Sequence, residues 1–393
     1  MSNELYNDGP VVHKPTFIDG TSVEIPELKI LQQDGTVYEG SDMPDIDEAL
    51  AVKVYKTFAF HRVLDERMVA SQRQGRLSFY MAALGEEAAS IGGAAGLKPQ
   101  DMIMSQYREQ GALMFRGFSL ENFMNQMFSN DKDLGKGRQM PIHYGSKELN
   151  YMTISSPLGT QIPQATGYAY GQKLQGLDAV TLCYFGEGAA SEGDFHAGLN
   201  MAAVQEAPVI FFCRNNGYAI STPADEQFKG NGIASRGVGY GIKTLRVDGN
   251  DILAVVKATQ IARAYALKEN APVLIEAMSY RLGAHSTSDD PSGYRTREEE
   301  QKWQANDPIV RMKNWMLAQN WWDEAQETAL YEKLREKVLA AVKVAEKIEK
   351  PHIDTLISDV YDVPSAQLTA QLEQVKTHIN KYPEAYPFTA GKF

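Results

Sequence analysis

The sequence is poor in cysteine and contains no long apolar run. Only Cys183 and Cys213 occur among its 393 residues, and both lie inside apolar, strand-like segments. We therefore expect two buried, reduced thiols, and neither a disulfide nor a cysteine metal site. No apolar stretch approaches the roughly 20 residues that a membrane-spanning helix needs. These deficits predict a protein without a disulfide framework and without a membrane partner.

Basic side chains are also in the minority, with 39 Lys and Arg against 50 Asp and Glu and a formal net charge of −11. That sign disfavours a nucleic-acid backbone or an anionic membrane as the main partner. The start, MSNELYNDG, has neither the basic-then-apolar order of a signal peptide nor the Arg-rich composition of a transit peptide. We expect a reducing compartment, most simply the bacterial cytoplasm, with a processed mitochondrial form as the alternative.

Two common phosphate-binding motifs are missing. The chain contains no GxxxxGK[ST] segment, and no GxGxxG fingerprint with a downstream ribose-binding acid stands out. A Walker-type nucleotide site is therefore excluded. A different phosphate-binding arrangement remains open.

The middle of the chain alternates apolar strands with helices. Four strands are predicted, at residues 179–185, 208–215, 242–247 and 272–281. Continuous apolar strands separated by helices are typical of a parallel sheet that is covered on both faces. We therefore predict a mainly parallel α/β fold. Its ligand site should lie beyond the carboxyl ends of the strands.

The flanking regions differ from this core in composition. Residues 1–44 mix Pro, Gly, Asp and short apolar pieces, which predicts an extended N-terminal arm. Residues 45–300 form the predicted α/β domain, which opens with a helix over 45–75 and has another over 120–128. Residues 301–393 are charged and amphipathic, and predict a helical extension packed on the same domain.

The most informative stretch, GEGAASEGDFHAGLNMAAVQEAPVIFFCRNNGYAIST, joins two predicted strand ends. Glu187 follows the first strand, and Asn216 ends the next one about thirty residues later, the length of one β-α-β crossover. A carboxylate, an amide oxygen and a nearby backbone carbonyl are ligands that Mg²⁺ accepts, with phosphate oxygens in its other positions. The helix that follows Gly188 favours negative charge at its amino end. On GEG alone, a turn with a solvated acid would be the better interpretation.

GEG followed by NN at this distance resembles the thiamin diphosphate motif. Residues 45–364 resemble the alpha subunit of the thiamin-dependent first component of 2-oxo acid dehydrogenase complexes. The segments most similar to the branched-chain 2-oxo acid enzyme are SFYM (78–81), QYRE (106–109), GRQMPIHYG (137–145), ISSPLGTQ (154–161), GEGAASEGD (186–194), RNNGYAIST (214–222) and HSTSDD (285–290). A pyruvate-type relative would carry GDG and a different loop in place of GRQMPIHYG.

The resemblance implies a cofactor site, residue by residue. Mg²⁺ would be bound by Glu187, Asn216 and the backbone carbonyl of Tyr218. Residues implied to contact thiamin diphosphate are Tyr107, Arg108, Ser156, Leu158, Gly186, Gly188, Ala189, Arg214 and His285. A structural K⁺ site would use Ser155, Pro157, Thr160 and Gln161. Guanidinium suits phosphate oxygens, although outside this motif surface ion pairs would be the better interpretation of the two arginines.

His285 is the predicted catalytic residue, because it follows the fourth strand and an imidazole can exchange a proton near pH 7. The matching histidine in the family assists acyl transfer to the lipoyl group. Ser286 matches a serine that a kinase phosphorylates in animal relatives. Ala284 departs from their pattern, in which a second histidine stands. His143, with Phe79 and Tyr80, is placed at a substrate channel, with core packing as the alternative for the two aromatic residues.

The resemblance implies an enzyme that works only in an assembly. The activity would be oxidative decarboxylation of branched-chain 2-oxo acids and acyl transfer to the lipoyl-bearing second component. The glutamate that activates the cofactor would lie on a beta subunit, which predicts a heterotetramer with two of each chain. The alternatives are a pyruvate or acetoin dehydrogenase alpha subunit and a non-catalytic binding module.

Overall fold

A computed structural model describes residues 12–386. In this part of the chain the strands are β1 (Glu27–Leu28), β2 (Met102–Met104), β3 (Thr181–Gly186), β4 (Val209–Asn215), β5 (Tyr218–Ala219), β6 (Thr222–Pro223), β7 (Lys243–Asp248) and β8 (Val273–Met278). The helices are α1 (Glu48–Arg73), α2 (Glu87–Ala95), α3 (Gln110–Arg116), α4 (Leu120–Met127), α5 (Gln161–Leu174), α6 (Gly193–Gln205), α7 (Ala224–Gln227), α8 (Ala234–Gly239), α9 (Ile252–Glu269), α10 (Arg297–Gln304), α11 (Pro308–Ala318), α12 (Glu324–Ala345), α13 (Thr355–Ser358) and α14 (Ala366–Lys381).

The main sheet is parallel throughout, with the strand order β1-β7-β8-β4-β3-β2 across residues 12–386. Strands β5 and β6 form a separate antiparallel pair just after β4. Because β3 and β4 are neighbours, Gly186 pairs with Arg214 at the carboxyl end of both strands. The predicted fold class, a mainly parallel α/β sheet surrounded by helices, is confirmed.

Strand β3 shows why the central strands are apolar almost without interruption. Leu182 and Tyr184 pack into a core with α1, α2 and α9, whereas Cys183 and Phe185 pack into a second core with α5 and α6. Both faces of the sheet are thus buried, which favours apolar side chains along the central strands. Both cysteines are free and buried. Burial raises the pKa of both thiols well above the usual value, which keeps them protonated.

The first long helix begins and ends at capping residues that the sequence provides. The Asp47 side chain accepts a hydrogen bond from the backbone N–H of Leu50, which caps α1 at its amino end. Gly75 follows the helix with φ of +72°, a conformation in which other residues are strained. Helix α1 therefore lies within the predicted range of 45–75, and α4 within the predicted range of 120–128.

The arm and the C-terminal helices both pack on the central domain. Strand β1, which the sequence pattern did not predict, pairs with β7 at the sheet edge. Asp251 holds the arm next to it by accepting hydrogen bonds of 2.6 Å from the backbone N–H groups of Ile30 and Leu31. In the C-terminal region, Glu327 of α12 accepts a hydrogen bond from the hydroxyl group of Tyr55 on α1, at 2.9 Å.

The division into residues 1–44, 45–300 and 301–393 stays a prediction, and residues 1–11 and 387–393 lie outside the described part of the chain. Within residues 12–386, none of the helices has both the length and the apolar composition that crossing a membrane would require.

Candidate active site

A cavity of about 460 Å³ opens at the carboxyl ends of β3, β4 and β8. Its lining includes every residue that the resemblance assigned to the cofactor or to Mg²⁺, namely Tyr107, Arg108, Ser156, Leu158, Gly186, Glu187, Gly188, Ala189, Arg214, Asn216, Tyr218 and His285. These residues are spread over nearly 180 positions of the chain. Parallel pairing brings them together because the strands that carry them end at one edge of the sheet.

Glu187 is a buried carboxylate with one unsatisfied oxygen. Its side chain is 1% exposed, and its Oε2 accepts a hydrogen bond of 3.2 Å from the backbone N–H of Asn216. Its Oε1 is buried and has no hydrogen-bond partner among residues 12–386. Burial raises the pKa of Glu187 to about 7, and the nearby Glu86 carboxylate adds to the increase. A buried acceptor without a donor is costly unless a proton or a cation binds to it.

The two asparagines at the end of β4 have different partners. Asn215 donates from its side-chain amide to Glu276 Oε1 at 2.8 Å, which anchors it below the cavity. Asn216 donates from its amide to Glu86 Oε1 at 3.1 Å, and its Oδ1 accepts from the backbone N–H of Tyr218 at 3.1 Å. Only Asn216 lines the cavity. The first asparagine therefore holds the turn, and the second presents its side chain to the site.

Arg214 is held between two buried glutamates. Its Nε donates to Glu109 and its Nη1 to Glu86, and all three side chains are at most 2% exposed. These carboxylates stand at the amino ends of α3 and α2. Burial lowers the pKa of Arg214, but the two carboxylates outweigh it and raise the pKa above its usual value. The two hydrogens of Nη2 and the second hydrogen of Nη1 remain for other acceptors, such as a phosphate.

Arg108 connects the cavity to the loop that carries His285. Its Nη1 donates to the carbonyl of Ala82, and its Nη2 donates to the carbonyl of His285 at 2.6 Å. The same nitrogen lies 3.1 Å from His285 Nδ1. Because a guanidinium can only donate, Nδ1 is the acceptor, and the neutral ring carries its hydrogen on Nε2.

His285 is neutral at physiological pH. Burial lowers its pKa to about 4, and the positive charges of Arg108 and Arg281 add to this. Its backbone N–H donates to Asp289 Oδ2 at 2.7 Å, which fixes the loop around it. The ring of Tyr107 meets the imidazole edge to face, with 6.4 Å between the centroids. His285 is thus a fixed, neutral hydrogen-bond donor at the cavity wall.

The loop before α5 brings three of the four predicted K⁺ ligands together. Thr160 Oγ1 donates to the carbonyl of Pro157 at 3.0 Å and lies 3.2 Å from Ser155 Oγ. Gln161 directs its side-chain amide elsewhere, to the carbonyl of Tyr184 at 3.0 Å. Within residues 12–386 no group of three or more His, Cys, Asp and Glu side chains could hold a metal ion.

Ser156, which lies between Ser155 and Pro157 in the same loop, is paired with His143. His143 Nδ1 lies 3.1 Å from the carbonyl of Pro141 and must therefore carry the hydrogen. Its Nε2 then accepts from Ser156 Oγ at 2.9 Å. His143 and Phe79 both line the cavity, and their position in a substrate channel stays a prediction. Tyr80 does not line it. It is fully buried and donates to Asp65 at 2.6 Å, so for this residue the alternative of core packing is correct.

Comparison with known proteins identifies the family. The family model described as "Dehydrogenase E1 component" matches residues 55–354. The chain belongs to the dehydrogenase E1 component family. It is 51% identical over 375 residues to the mitochondrial 2-oxoisovalerate dehydrogenase subunit alpha of Homo sapiens, covering 95% of this chain and 83% of the human protein. The corresponding Caenorhabditis elegans protein is 50% identical, covering 92% of this chain and 84% of that protein.

A plant relative gives the same result. The mitochondrial 2-oxoisovalerate dehydrogenase subunit alpha 2 of Arabidopsis thaliana is 48% identical to this E1 component, covering 94% of this chain and 79% of the plant protein. The resemblance to the branched-chain alpha subunit is therefore confirmed. Membership of the dehydrogenase E1 component family implies dependence on thiamin diphosphate, and implies a beta subunit and an acyltransferase as partners.

The predicted location in the bacterial cytoplasm is wrong. The human, nematode and plant relatives of this E1 component are all mitochondrial proteins of eukaryotes. Scarce cysteine and a net negative charge are compatible with any reducing compartment. They could not separate these two locations.

Several residues of this E1 component site were missed from the sequence. Glu86 and Glu109 bind Arg214, and Gln106 Oε1 accepts from the backbone N–H of Gly186 at 2.9 Å. Arg281 lines the cavity and lies 3.4 Å from the His285 ring. Glu109 and Gln106 flank the recognised Tyr-Arg pair in QYRE, which was the only signal that pointed to them.

Proposed function

We propose that this chain is the alpha subunit of a branched-chain 2-oxo acid dehydrogenase. It would act in the oxidative decarboxylation of branched-chain 2-oxo acids with thiamin diphosphate and Mg²⁺, and in acyl transfer to the lipoyl group of the second component. The observation that carries the proposal is the buried Glu187–Asn216 pair at the strand-end cavity of a dehydrogenase E1 component. The relatives named 2-oxoisovalerate dehydrogenase subunit alpha support the substrate class.

The donor set fits Mg²⁺. A carboxylate with a free oxygen, an amide and the backbone of Tyr218 provide hard oxygen ligands, and phosphate oxygens would complete the octahedron. The backbone of Gly188 packs closely against Ala219, because an added Cβ would lie 2.8 Å from the Cβ of Ala219. This position therefore has no room for a side chain. Tyr107, Arg108, Gly188, Ala189 and the free end of Arg214 would hold the diphosphate. A K⁺ ion would bind at Ser155, Pro157 and Thr160, and Gln161 would have to turn its side chain from Tyr184 to join them.

The residues of this chain would hold and orient the reactants. When bound, thiamin diphosphate would supply a nucleophilic thiazolium carbon for the 2-oxo carbon and a cationic ring that can accept the electron pair released with CO₂. Ser156 and Leu158 would contact its rings. His285, which is neutral and carries its hydrogen on Nε2, would donate to the acyl group during transfer to the lipoyl arm. Ser286, at the rim of the cavity, is where phosphorylation would add negative charge next to the diphosphate.

The cavity suits a branched aliphatic side chain. Much of its wall is apolar and comes from Phe79, Met81, Met140, Ile142, Leu158 and Ile220. Burying the two additional carbons of 3-methyl-2-oxobutanoate in such a wall would favour this substrate over pyruvate by about 1.6 kcal/mol, at about 0.8 kcal/mol for each carbon. An acetoin or pyruvate dehydrogenase alpha subunit would not show this preference.

A beta subunit would complete the site. We propose a heterotetramer with two of each chain, in which the beta subunit carries the glutamate that activates the cofactor. The test is turnover of 3-methyl-2-oxobutanoate and of pyruvate, measured with the beta subunit added and without it. We expect activity only with the beta subunit, and a higher kcat/KM for the branched substrate. Equal kcat/KM values would favour the pyruvate alternative, and no turnover of either substrate would favour a binding module. Native mass spectrometry measures the chain ratio.

A further inference from the structure

Glu86 connects the candidate metal ligand to two arginines of the site, Arg108 and Arg214, without lining the cavity itself. It precedes α2 and is 1% exposed. Its Oε1 accepts from the Asn216 amide at 3.1 Å and lies 3.8 Å from Arg108 Nε. Its Oε2 is paired with Arg214. One buried carboxylate therefore contacts three residues to which the proposed function gives a role.

The contact with Asn216 determines which end of that amide faces the cavity. An ionised carboxylate can only accept a hydrogen bond, so the NH₂ group of Asn216 must face Glu86. The amide oxygen is then turned away from Glu86, on the side where the backbone N–H of Tyr218 lies. If the amide rotated by half a turn, its NH₂ group would face a cation in place of the oxygen. That orientation cannot bind a metal.

The contact with Arg214 has a second effect. Arg214 is also bound by Glu109, so its Nε and its Nη1 each donate to a carboxylate, and its position is fixed from two helix ends. Buried charges of this kind are stable only as a complete set, because removing one partner leaves the others unpaired. Glu86 is thus the shared partner of the amide and the guanidinium.

We propose that Glu86 is a positioning residue: it orients the Asn216 amide for Mg²⁺ and holds Arg214 in place for the diphosphate. The inference rests on the proposed function, since it assigns a cause for the geometry of that site. Partners that orient a metal ligand usually change metal affinity by about ten- to a hundredfold when they are replaced.

The test compares Glu86→Gln with Asp101→Asn in the full chain assembled with its beta subunit. Asp101 is a matched control, because it is equally buried and paired with an arginine, Arg263 at 2.7 Å. It lies at the opposite end of the sheet, just before β2. Mg²⁺ is titrated by calorimetry at saturating thiamin diphosphate. We expect Glu86→Gln to weaken Mg²⁺ binding at least about tenfold, and Asp101→Asn to change it less than about twofold.

A swap of the two polar groups separates positioning from general damage. In Asn216→Asp two carboxylates would face each other, so Mg²⁺ binding should weaken. Adding Glu86→Gln restores the hydrogen bond with reversed polarity, because the introduced side-chain amide can donate to the new carboxylate. The same Glu86 substitution should therefore weaken binding in the wild-type background and strengthen it in the Asn216→Asp background. A merely structural role predicts weaker binding in both.

Recovery in the double variant supports the inference even if Glu86→Gln alone assembles poorly. Unchanged Mg²⁺ affinity in Glu86→Gln, or a loss in both backgrounds, would overturn it. A wild-type complex without any Mg²⁺-dependent cofactor binding would instead refute the proposed function.

Discussion

Protonation of Glu187 should compete with Mg²⁺ binding. Burial raises the pKa of this carboxyl group to about 7, whereas its usual value is 4.5. A cation needs the ionised form. With a pKa of about 7, roughly 90% of the groups are ionised at pH 8 and roughly 10% at pH 6. We therefore expect Mg²⁺ to bind about tenfold more weakly at pH 6 than at pH 8.

The same shift affects the stability of the metal-free chain. The folded state holds this proton more tightly than the unfolded state does, so the stabilising contribution is complete below pH 4.5 and is lost as the pH rises through 7. The difference between the two pKa values is equivalent to about 3 kcal/mol. In EDTA at pH 8, Glu187→Gln should therefore be more stable than the wild type by up to about 3 kcal/mol, and equally stable near pH 4.5.

Two assays check this reasoning. Calorimetric titration of Mg²⁺ at pH 6, 7 and 8 is performed with saturating thiamin diphosphate, and Mg²⁺ binding by the free cofactor in the same buffers corrects for titration of its phosphate. Urea unfolding in EDTA compares the wild type with Glu187→Gln. Equal corrected Mg²⁺ affinities at pH 6 and pH 8 would refute the competition between the proton and Mg²⁺ at Glu187. A Glu187→Gln variant that is less stable than the wild type at pH 8 would refute the raised pKa of this carboxyl group.

Further substitutions separate the roles within the site. Glu187→Ala and Asn216→Ala should abolish binding of Mg²⁺ and thiamin diphosphate, and unchanged cofactor affinity in these two variants would contradict the metal assignment. His285→Ala should retain cofactor binding and lose acyl transfer to a lipoyl domain. Gly188→Val should weaken thiamin diphosphate binding more than tenfold, because even its Cβ would lie 2.8 Å from Ala219 Cβ. An unaltered dissociation constant for that variant would show that the cofactor does not approach this backbone.

The Glu187–Asn216 pair could be predicted because it follows from topology alone. Two apolar strands joined by one helical crossover of about thirty residues run parallel, and where they are neighbours, as β3 and β4 are, the polar residues at their ends meet. The strand register, in which Gly186 pairs with Arg214, makes this contact unavoidable. The distance along the chain was therefore sufficient to place both side chains at one edge of the sheet.

The residues that support this pair could not be predicted in the same way. Glu86 and Glu87 are neighbours in the sequence, yet Glu86 binds Arg214, and Glu87 binds Arg62 at 2.7 Å. Which partner each one reaches depends on how α2 packs against α1 and the sheet. No periodic pattern in the sequence encodes that packing.

The aromatic pair in SFYM shows the same limit. Phe79 lines the cavity, whereas Tyr80 points away from it and binds Asp65. The segment lies outside the helices and strands, so neither the helical nor the strand period assigns its side chains to a face. Strand β1 was missed because only two residues form it.

A crystal structure of the chain with its beta subunit, thiamin diphosphate and Mn²⁺ in place of Mg²⁺ would test the central claim most directly. The anomalous signal of Mn²⁺ locates the metal without reference to the protein. We expect the peak roughly 2.1 Å from oxygen atoms of Glu187 and Asn216, the usual distance for such ligands. A peak that is out of reach of both side chains would contradict the assignment of this strand-end pair as the metal site.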